Sequence, residues 1–181
     1  VANVESIILA AGKGTRMQSD LAKVLHPVAD RPMVQWVLDT CAAIGVTRNI
    51  VVVGHQADRV RQDLADREDC VFVEQTEQLG TGHAVQQAQP VMPETIPADM
   101  DIFVLCGDGP LIRQSTLQTL LDRHRQSNAA ATLATAVLED ATGYGRIVRD
   151  AEGNFQAIVE EKDATDAQRA IREINPSYYC F

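Results

Sequence analysis

Short apolar runs recur along this chain, separated by stretches with helical spacing. Val4-Glu5-Ser6-Ile7-Ile8 opens the series, and Ile50-Val51-Val52-Val53, Cys70-Val71-Phe72-Val73-Glu74 and Ile102-Phe103-Val104-Leu105-Cys106 continue it. Runs of this length with little alternation read as strands buried on both faces. Pro32 stands at the first turn of a helix with Met33, Trp36, Val37, Ala43 and Ile44 as apolar positions; Gly45 stops it, and Trp36 reads as core. A polar helix over 57–67, another running through Ala88 and a third over 115–125 fill the later gaps, before a strand over 130–137. Strands alternating with helices of about ten residues make βαβ units and a parallel sheet. The pattern then changes. Residues 145–149 and 155–160 flank Glu152-Gly153-Asn154 as a β-hairpin, a short helix covers 164–172, and a strand starts at Ile174. Residues 20–27 are too broken for a regular element. The predicted fold is α/β and Rossmann-like, a mostly parallel sheet with helices on both faces plus a β-hairpin insertion. No repeat or linker divides the chain, so residues 1–181 read as one domain. The sequence stops within Tyr178-Tyr179-Cys180-Phe181, and the expectation is a domain truncated at its C-terminal end.

Ligands of open α/β sheets bind beyond the C-terminal ends of the strands, which directs attention to the loops there. The first is Leu9-Ala10-Ala11-Gly12-Lys13-Gly14-Thr15-Arg16-Met17, with Lys23 shortly after. Glycines let backbone N–H groups close around a phosphate, and Arg16 and Lys23 bring positive charge. It is not a P-loop, because Lys13 precedes the second glycine of Gly12-Lys13-Gly14-Thr15 and no earlier glycine is in register. It is not the dinucleotide fingerprint either, since Met17 takes the third glycine position and Gly54-His55 follows the second strand where an acid is needed. The loop reads as a cradle for a nucleoside triphosphate, against the plainer alternative of a glycine-rich turn. Gln75-Thr76-Glu77-Gln78-Leu79-Gly80-Thr81-Gly82-His83-Ala84 forms a second glycine-bearing loop, with donors and acceptors suited to a base edge. His83 alone reads as structural more readily than catalytic. Asp108, in Gly107-Asp108-Gly109, is either a hard oxygen ligand for Mg²⁺ beside a polyphosphate or a turn residue satisfying its own backbone.

Composition narrows the partners. The chain has 181 residues, 45% hydrophobic and 23% charged, enough for one domain burying roughly 70% of its unfolded surface. A net charge of −9 argues against nucleic acid or an anionic membrane. Two of the three lysines, Lys13 and Lys23, nevertheless sit at the first loop, a basic mouth on an acidic body. Cys41, Cys70, Cys106 and Cys180 are scattered without a C-x-x-C pair, which disfavours a zinc site or disulfide framework and fits a reducing compartment. With no signal-peptide pattern and no apolar run near the roughly 20 residues of a span, a cytoplasmic chain is expected.

These loops resemble the signature of sugar-1-phosphate nucleotidyltransferases. Gln75 with Glu77-Gln78-Leu79-Gly80-Thr81-Gly82-His83-Ala84 narrows the resemblance, as do Thr142-Gly143-Tyr144-Gly145-Arg146-Ile147, Ile158-Val159-Glu160-Glu161-Lys162-Asp163-Ala164-Thr165 and Glu173-Ile174-Asn175. Together they are similar to the uridylyltransferase domains of bacterial bifunctional N-acetylglucosamine-1-phosphate uridyltransferase/glucosamine-1-phosphate acetyltransferases, over essentially the whole chain. The resemblance implies a nucleotide-diphospho-sugar transferase fold. It also implies conversion of UTP and N-acetylglucosamine-1-phosphate into UDP-N-acetylglucosamine and pyrophosphate, with Mg²⁺, for peptidoglycan and lipopolysaccharide synthesis. By motif position, Leu9 to Gly12, Gln75, Gly80 and Thr81 hold the uridine and Gly14 the phosphates. Arg16 and Lys23 act on the reacting phosphates, Asp108 binds Mg²⁺, and Gly145, Glu160 and Asn175 hold the sugar. In the family a later asparagine, past Phe181, completes the metal site. A left-handed β-helix, also outside this sequence, carries acetyl transfer and trimerisation. The expectation is a chain that binds UTP, turns over poorly and does not acetylate.

Gly109, where the family has valine or another apolar residue, is expected to loosen the Asp108 turn. Cys106 replaces an aromatic, and Pro176-Ser177 replaces a small-Gly pair after Asn175. Three other readings stay open: a nucleotidyltransferase for another base or sugar, a non-catalytic sugar-nucleotide sensor, and a nicotinamide-dependent oxidoreductase, which Met17 disfavours.

Overall fold

The computed structural model describes residues 3–14 and 17–181; Arg16 lies outside them. A six-stranded sheet is built outward from β1 (Asn3–Ala10). On one side β1 pairs in parallel with β4 (Arg48–Val53), which pairs in parallel with β5 (Cys70–Glu74). On its other side lies β6 (Met100–Cys106), again parallel. The short strands β12 (Tyr178–Cys180) and β7 (Thr132–Leu133) complete the order β5-β4-β1-β6-β12-β7, with β12 antiparallel to both neighbours. Strands β8 (Ala136–Val137), β9 (Gly145–Arg149), β10 (Phe155–Val159) and β11 (Glu173–Asn175) form a second, antiparallel sheet ordered β10-β9-β11-β8. A small ribbon of β2 (Pro27–Val28) and β3 (Arg31–Pro32) precedes the first long helix.

Helices cover both faces of the main sheet because its strands are apolar on both. Val4, Ile8, Val51, Val53, Phe103 and Leu105 pack against α1 (Met33–Ala43), α2 (Ala57–Asp63) and α4 (Gln114–Ser127). Ile7, Ile50, Val52, Ile102 and Val104 face the other way, where α3 (Thr81–Gln86) and the following turn bring Ala84 and Ala88. The strands over 49–53, 70–74 and 102–106, the hairpin and the two-faced helical cover are thus as the sequence pattern predicts.

The short pieces differ. Residues 130–137 are not one strand: Thr132–Leu133 joins the main sheet beside β12, and Ala136–Val137 joins the small sheet beside β11. The strand from Ile174 divides in the same way, at Pro176 and Ser177, where φ at Ser177 is +62°. Pro176 has no N–H for a ladder, and the two neighbouring chains cross between sheets together. The helix expected over 57–67 ends at Asp63, and that over 164–172 is the single turn α5 (Asp166–Arg169), capped by Thr165 and Gln168. Within 20–27 there is one 3₁₀ turn, Lys23–Leu25. Trp36 is half-buried rather than core. Its indole N–H donates to the Val28 carbonyl (2.9 Å) and the Arg31 guanidinium lies 4.7 Å from its ring centre, so it closes the β2–β3 ribbon. All four cysteines are free thiols. No helix among the described residues is long and apolar enough to cross a membrane.

Arg67 ties the edge of the sheet to α1. It donates to Asp39 (2.7 Å) and twice to Asp69 (3.0 and 2.8 Å), which also accepts from the buried Asn49 amide (2.9 Å) and the Cys70 thiol (3.7 Å). The Arg67 hydrogen bonds hold the Asp69 carboxyl below its usual range, and burial pushes Asp39 up while Arg31 and Arg67 more than reverse it. A depressed carboxyl adds stability above its unfolded pKa of about 3.9 and loses it as pH falls through the lower folded value. Arg67→Met is expected to cost about 1 kcal/mol at pH 7, the partners being solvent-screened. Urea midpoints of the two proteins should differ at pH 7 and converge as pH falls through the lowered folded values of Asp39 and Asp69.

Candidate functional site

The parallel register aligns the ends of four strands. Leu9 is paired with Val52 and Cys106, Ala10 with Val53, and Val53 with Glu74, so the loops leaving β1, β5 and β6 open on one edge. In the first loop Gly14 has φ +62°, and a Cβ there would lie 2.6 Å from the Lys23 Cβ. The bare glycine is what lets the lysine stem pass against the loop. Gly12 is different: its φ is not left-handed and a Cβ would meet nothing within 4 Å, because it borders open space.

That space is a cavity of about 430 Å³ whose walls include Leu9, Ala11, Gly12, Gly14, Lys23, Gln75, Gly80, Thr81 and Asp108. Eight of the sequence-predicted nucleotide residues are therefore brought together. Ala10 is the exception; it is buried in the core beneath α1, and its side chain does not reach the cavity. The Gln75 amide, itself buried, donates to the Gly80 carbonyl (3.1 Å) and lies 3.1 Å from His83 Nδ1. Gln87 Nε2 is 3.1 Å from His83 Nε2, so His83 belongs to the internal bracing of its loop. Gln78, which no pattern set apart from its polar neighbours, also lines the cavity and donates to the Ala11 carbonyl (2.9 Å), joining the two glycine loops.

A second cavity of about 480 Å³ adjoins the first, between the main sheet and the small one. It is lined by Gly145, Glu160 and Asn175, and by Tyr144, Ser177 and Tyr178, which sequence reasoning did not select. Gly145 makes room for Glu160, since a Cβ would sit 3.2 Å from its Oε1. The Asn175 side chain is already engaged: it donates to the Tyr179 hydroxyl (2.7 Å) and accepts from the Ser177 N–H (3.0 Å). Arg146, buried in the small sheet, pairs with Glu161 (2.7 Å) and donates to the Ile171 carbonyl (3.0 Å). Glu161 in turn accepts from the Gly143 N–H (3.1 Å), and this bond, with Arg146, keeps its carboxyl below the usual range. The pair fixes the loop carrying Tyr144 and Gly145 against the segment carrying Glu160. An arginine at a core-facing strand position is the one signal of it in the sequence.

Lys23, Cys106 and Asp108 line both cavities. The Lys23 ammonium and the Asp108 carboxylate form a direct ion pair on this shared wall. Among the described residues the partner of the Asp108 carboxylate is therefore Lys23 rather than the backbone of its own turn. Burial pushes the Cys106 thiol up to about 11 and the Tyr178 hydroxyl up to about 12, so both stay protonated near neutral pH and Cys106 offers no thiolate. At Gly109 the space a side chain would take is filled by the Tyr178 hydroxyl. Among the described residues one other group could hold an ion, Asp101, His124 and Cys180, with donor atoms within 4.8 Å of one another. It lies at the opposite end of β6, and Arg125 bonds Asp101 through two nitrogens (2.9 and 2.6 Å), placing positive charge at that carboxylate. The cluster reads as a brace between α4 and β6. A larger groove of about 870 Å³ on the α3 face is mostly apolar and contains none of the candidate residues.

Over residues 6–172 the chain matches the family described as the MobA-like NTP transferase domain. It is 52% identical over 181 residues to the bifunctional protein GlmU of Brevibacillus brevis, covering all of this chain and 38% of that protein. With GlmU of Heliobacterium modesticaldum it is 52% identical over 176 residues, and with that of Desulfotalea psychrophila 51% over 174 residues, 37% and 50% of those proteins. The chain spans between about a third and a half of the length of these relatives.

The two loop glycines should behave oppositely when substituted. Gly14→Ala strains a left-handed residue and displaces Lys23, and is expected to cost about 1–3 kcal/mol, a fall of several degrees in Tm. Gly12→Ala should stay within about 0.5 kcal/mol of wild type. Circular dichroism melts of the two variants check this.

Proposed function

The chain belongs to the family of MobA-like NTP transferase domains, and from that premise we propose that it joins UTP to N-acetylglucosamine-1-phosphate, releasing pyrophosphate. The observation that carries this reading is the wall common to the two cavities, where Lys23 and Asp108 face both. One substrate in each cavity brings its reacting phosphate to that wall. Within the class, the motif resemblance of the loops favours uridine and the N-acetyl sugar, and the relatives at about 50% identity are named bifunctional GlmU proteins. The product is a precursor of cell-wall polysaccharide. We read residues 1–181 as a single nucleotidyltransferase domain corresponding to the N-terminal part of those proteins.

In this reading the glycine-loop cavity takes the nucleotide. Leu9, Ala11, Gly12, Gln75, Gly80 and Thr81 surround the uridine, with Ala10 contributing backbone alone, and Gly14 borders the phosphates. Arg16, by its position in the motif, joins Lys23 in balancing phosphate charge. The second cavity takes the sugar, with Glu160 accepting from hydroxyls beside Gly145. Asn175 acts mainly by fixing the Ser177 turn, its amide being engaged already.

The sugar phosphate supplies its own nucleophilic oxygen, so the protein's work is alignment and charge stabilisation. Attack on the α-phosphorus proceeds in line with departing pyrophosphate, and no protein nucleophile is needed. Lys23 exchanges its bond to Asp108 for the phosphate oxygens, stabilising charge where it develops. This frees Asp108. Its donor set fits Mg²⁺: a carboxylate oxygen at the cavity wall, with the neighbouring Cys106 protonated and no thiolate present. Mg²⁺, when bound, neutralises charge on the phosphates.

Thermal unfolding with nucleotides and Mg²⁺ tests the reading. At 100 times its Kd, UTP adds about 2.7 kcal/mol, a rise of several degrees. Lys23→Ala and Asp108→Ala should each shrink that rise, and Gly12→Ala should abolish it without lowering the ligand-free Tm. A response to dTTP, CTP, GTP or ATP in place of UTP identifies a transferase for another base. No response to any of them overturns the reading, and binding without pyrophosphate release from UTP and N-acetylglucosamine-1-phosphate points to a sensor.

A further inference from the structure

Tyr178 has no part in the chemistry described so far, yet its hydroxyl is among the best-placed polar groups in the second cavity. It begins β12 opposite Leu105, immediately after the Ser177 turn, which sets its ring beside the loop that carries Asp108. The ring is half-buried and borders the cavity. A Cβ on Gly109 would overlap the hydroxyl and lie 3.2 Å from the ring carbon Cζ. The bare glycine therefore leaves the space that the tyrosine hydroxyl occupies. Among the described residues no hydrogen bond reaches that hydroxyl, and it is not one of the buried atoms left without a partner, so it stays open to the cavity as a donor and acceptor.

The surrounding chemistry indicates what the partner is. Asp108 and Glu160 on the same cavity are acceptors, Asn175 is engaged with Tyr179 and Ser177, and Lys23 is paired with Asp108. Neutral donors for an oxygen-rich ligand come from the hydroxyls of Tyr144, Ser177 and Tyr178, and of these the Tyr178 hydroxyl is the one set against the turn that carries Asp108. We propose that Tyr178 is a specificity-determining residue, its hydroxyl hydrogen-bonding an oxygen of the phosphorylated sugar in the second cavity, and that Gly109 is the glycine that gives it room. The proposal rests on the nucleotidyltransferase reading and deepens it. It adds a contact to the sugar side alone, so the nucleotide should bind as well without it.

The test compares UDP-N-acetylglucosamine, N-acetylglucosamine-1-phosphate, UDP and UTP by calorimetry on wild type, Tyr178→Phe, Gly109→Ala and the double variant. Tyr178→Phe should weaken the two sugar ligands about threefold to tenfold, the loss of one neutral hydrogen bond, and leave UDP and UTP unchanged. Gly109→Ala should lower Tm by pushing the hydroxyl aside. Gly109→Ala/Tyr178→Phe should regain most of that Tm, because only the ring carbon remains near the new methyl, but should not regain the sugar affinity. A contact to a sugar hydroxyl leaves inorganic phosphate binding unaltered, whereas a contact to the phosphate weakens it in Tyr178→Phe. Equal affinity of Tyr178→Phe for all four ligands, or equal loss for all four, overturns the proposal and leaves Tyr178 a packing residue. If wild type binds none of them, the proposed function fails and the sugar contact with it, while the Tm cycle still reports on the Gly109–Tyr178 packing by itself.

Discussion

Everything at the ligand edge depends on β1 being hydrogen-bonded in parallel on both sides. With β4 on one side and β6 on the other, Leu9 lies between Val52 and Cys106, and the ends of the strands cannot slide without losing whole ladders. Parallel strands point the same way, so their exits form one rim; burial on both faces makes the register expensive to change. The glycine loop after β1 and the Asp108 turn after β6 are neighbours for this reason, although nearly a hundred residues of chain separate them. Strand β5, one place further out, delivers Gln75 to the same rim.

On that rim opposite charges meet. Lys23 arrives on a 3₁₀ turn packed under Gly14, Asp108 on the turn beyond β6, and they neutralise each other on the wall between the two cavities. An ion pair with partly exposed partners is weakly held and exchanges readily for stronger ligands. Polyphosphate attracts the lysine and a hard cation attracts the carboxylate. In the proposed reaction, one weak bond therefore keeps both groups in place without competing strongly with the phosphates and the cation.

The small sheet supplies the other half of the second cavity, and it is held differently. Arg146 is among the most buried side chains of the chain, yet it carries a full charge; Glu161 and backbone carbonyls surround it. Leaving such a charge unpaired is costly, so the loop at Gly143 and the segment at Glu160 are locked to one arrangement. Two chains cross from one sheet to the other side by side, at Ala134 and at Pro176–Ser177, and these crossings place Tyr178 against Gly109.

The sequence by itself determined the central strands, the helical cover and the identity of the glycine loops. Each depends on local information: runs of apolar residues long enough to need burial on both faces, helical spacing between them, and glycines where backbone must come close to something. It could also pick out Lys23, Gln75 and Asp108 from their places in loops at the strand ends, whereas Glu160 is reached through the family resemblance alone. Only the tertiary structure decided that 130–137 serves two sheets, that Trp36 closes a ribbon, that Ala10 faces the core and that Asn175 is already satisfied. It alone brought Lys23 to Asp108 and the Tyr178 hydroxyl to Gly109. These are outcomes of pairing between distant segments, and periodicity reports which side of an element wants to be buried, not which neighbour will cover it.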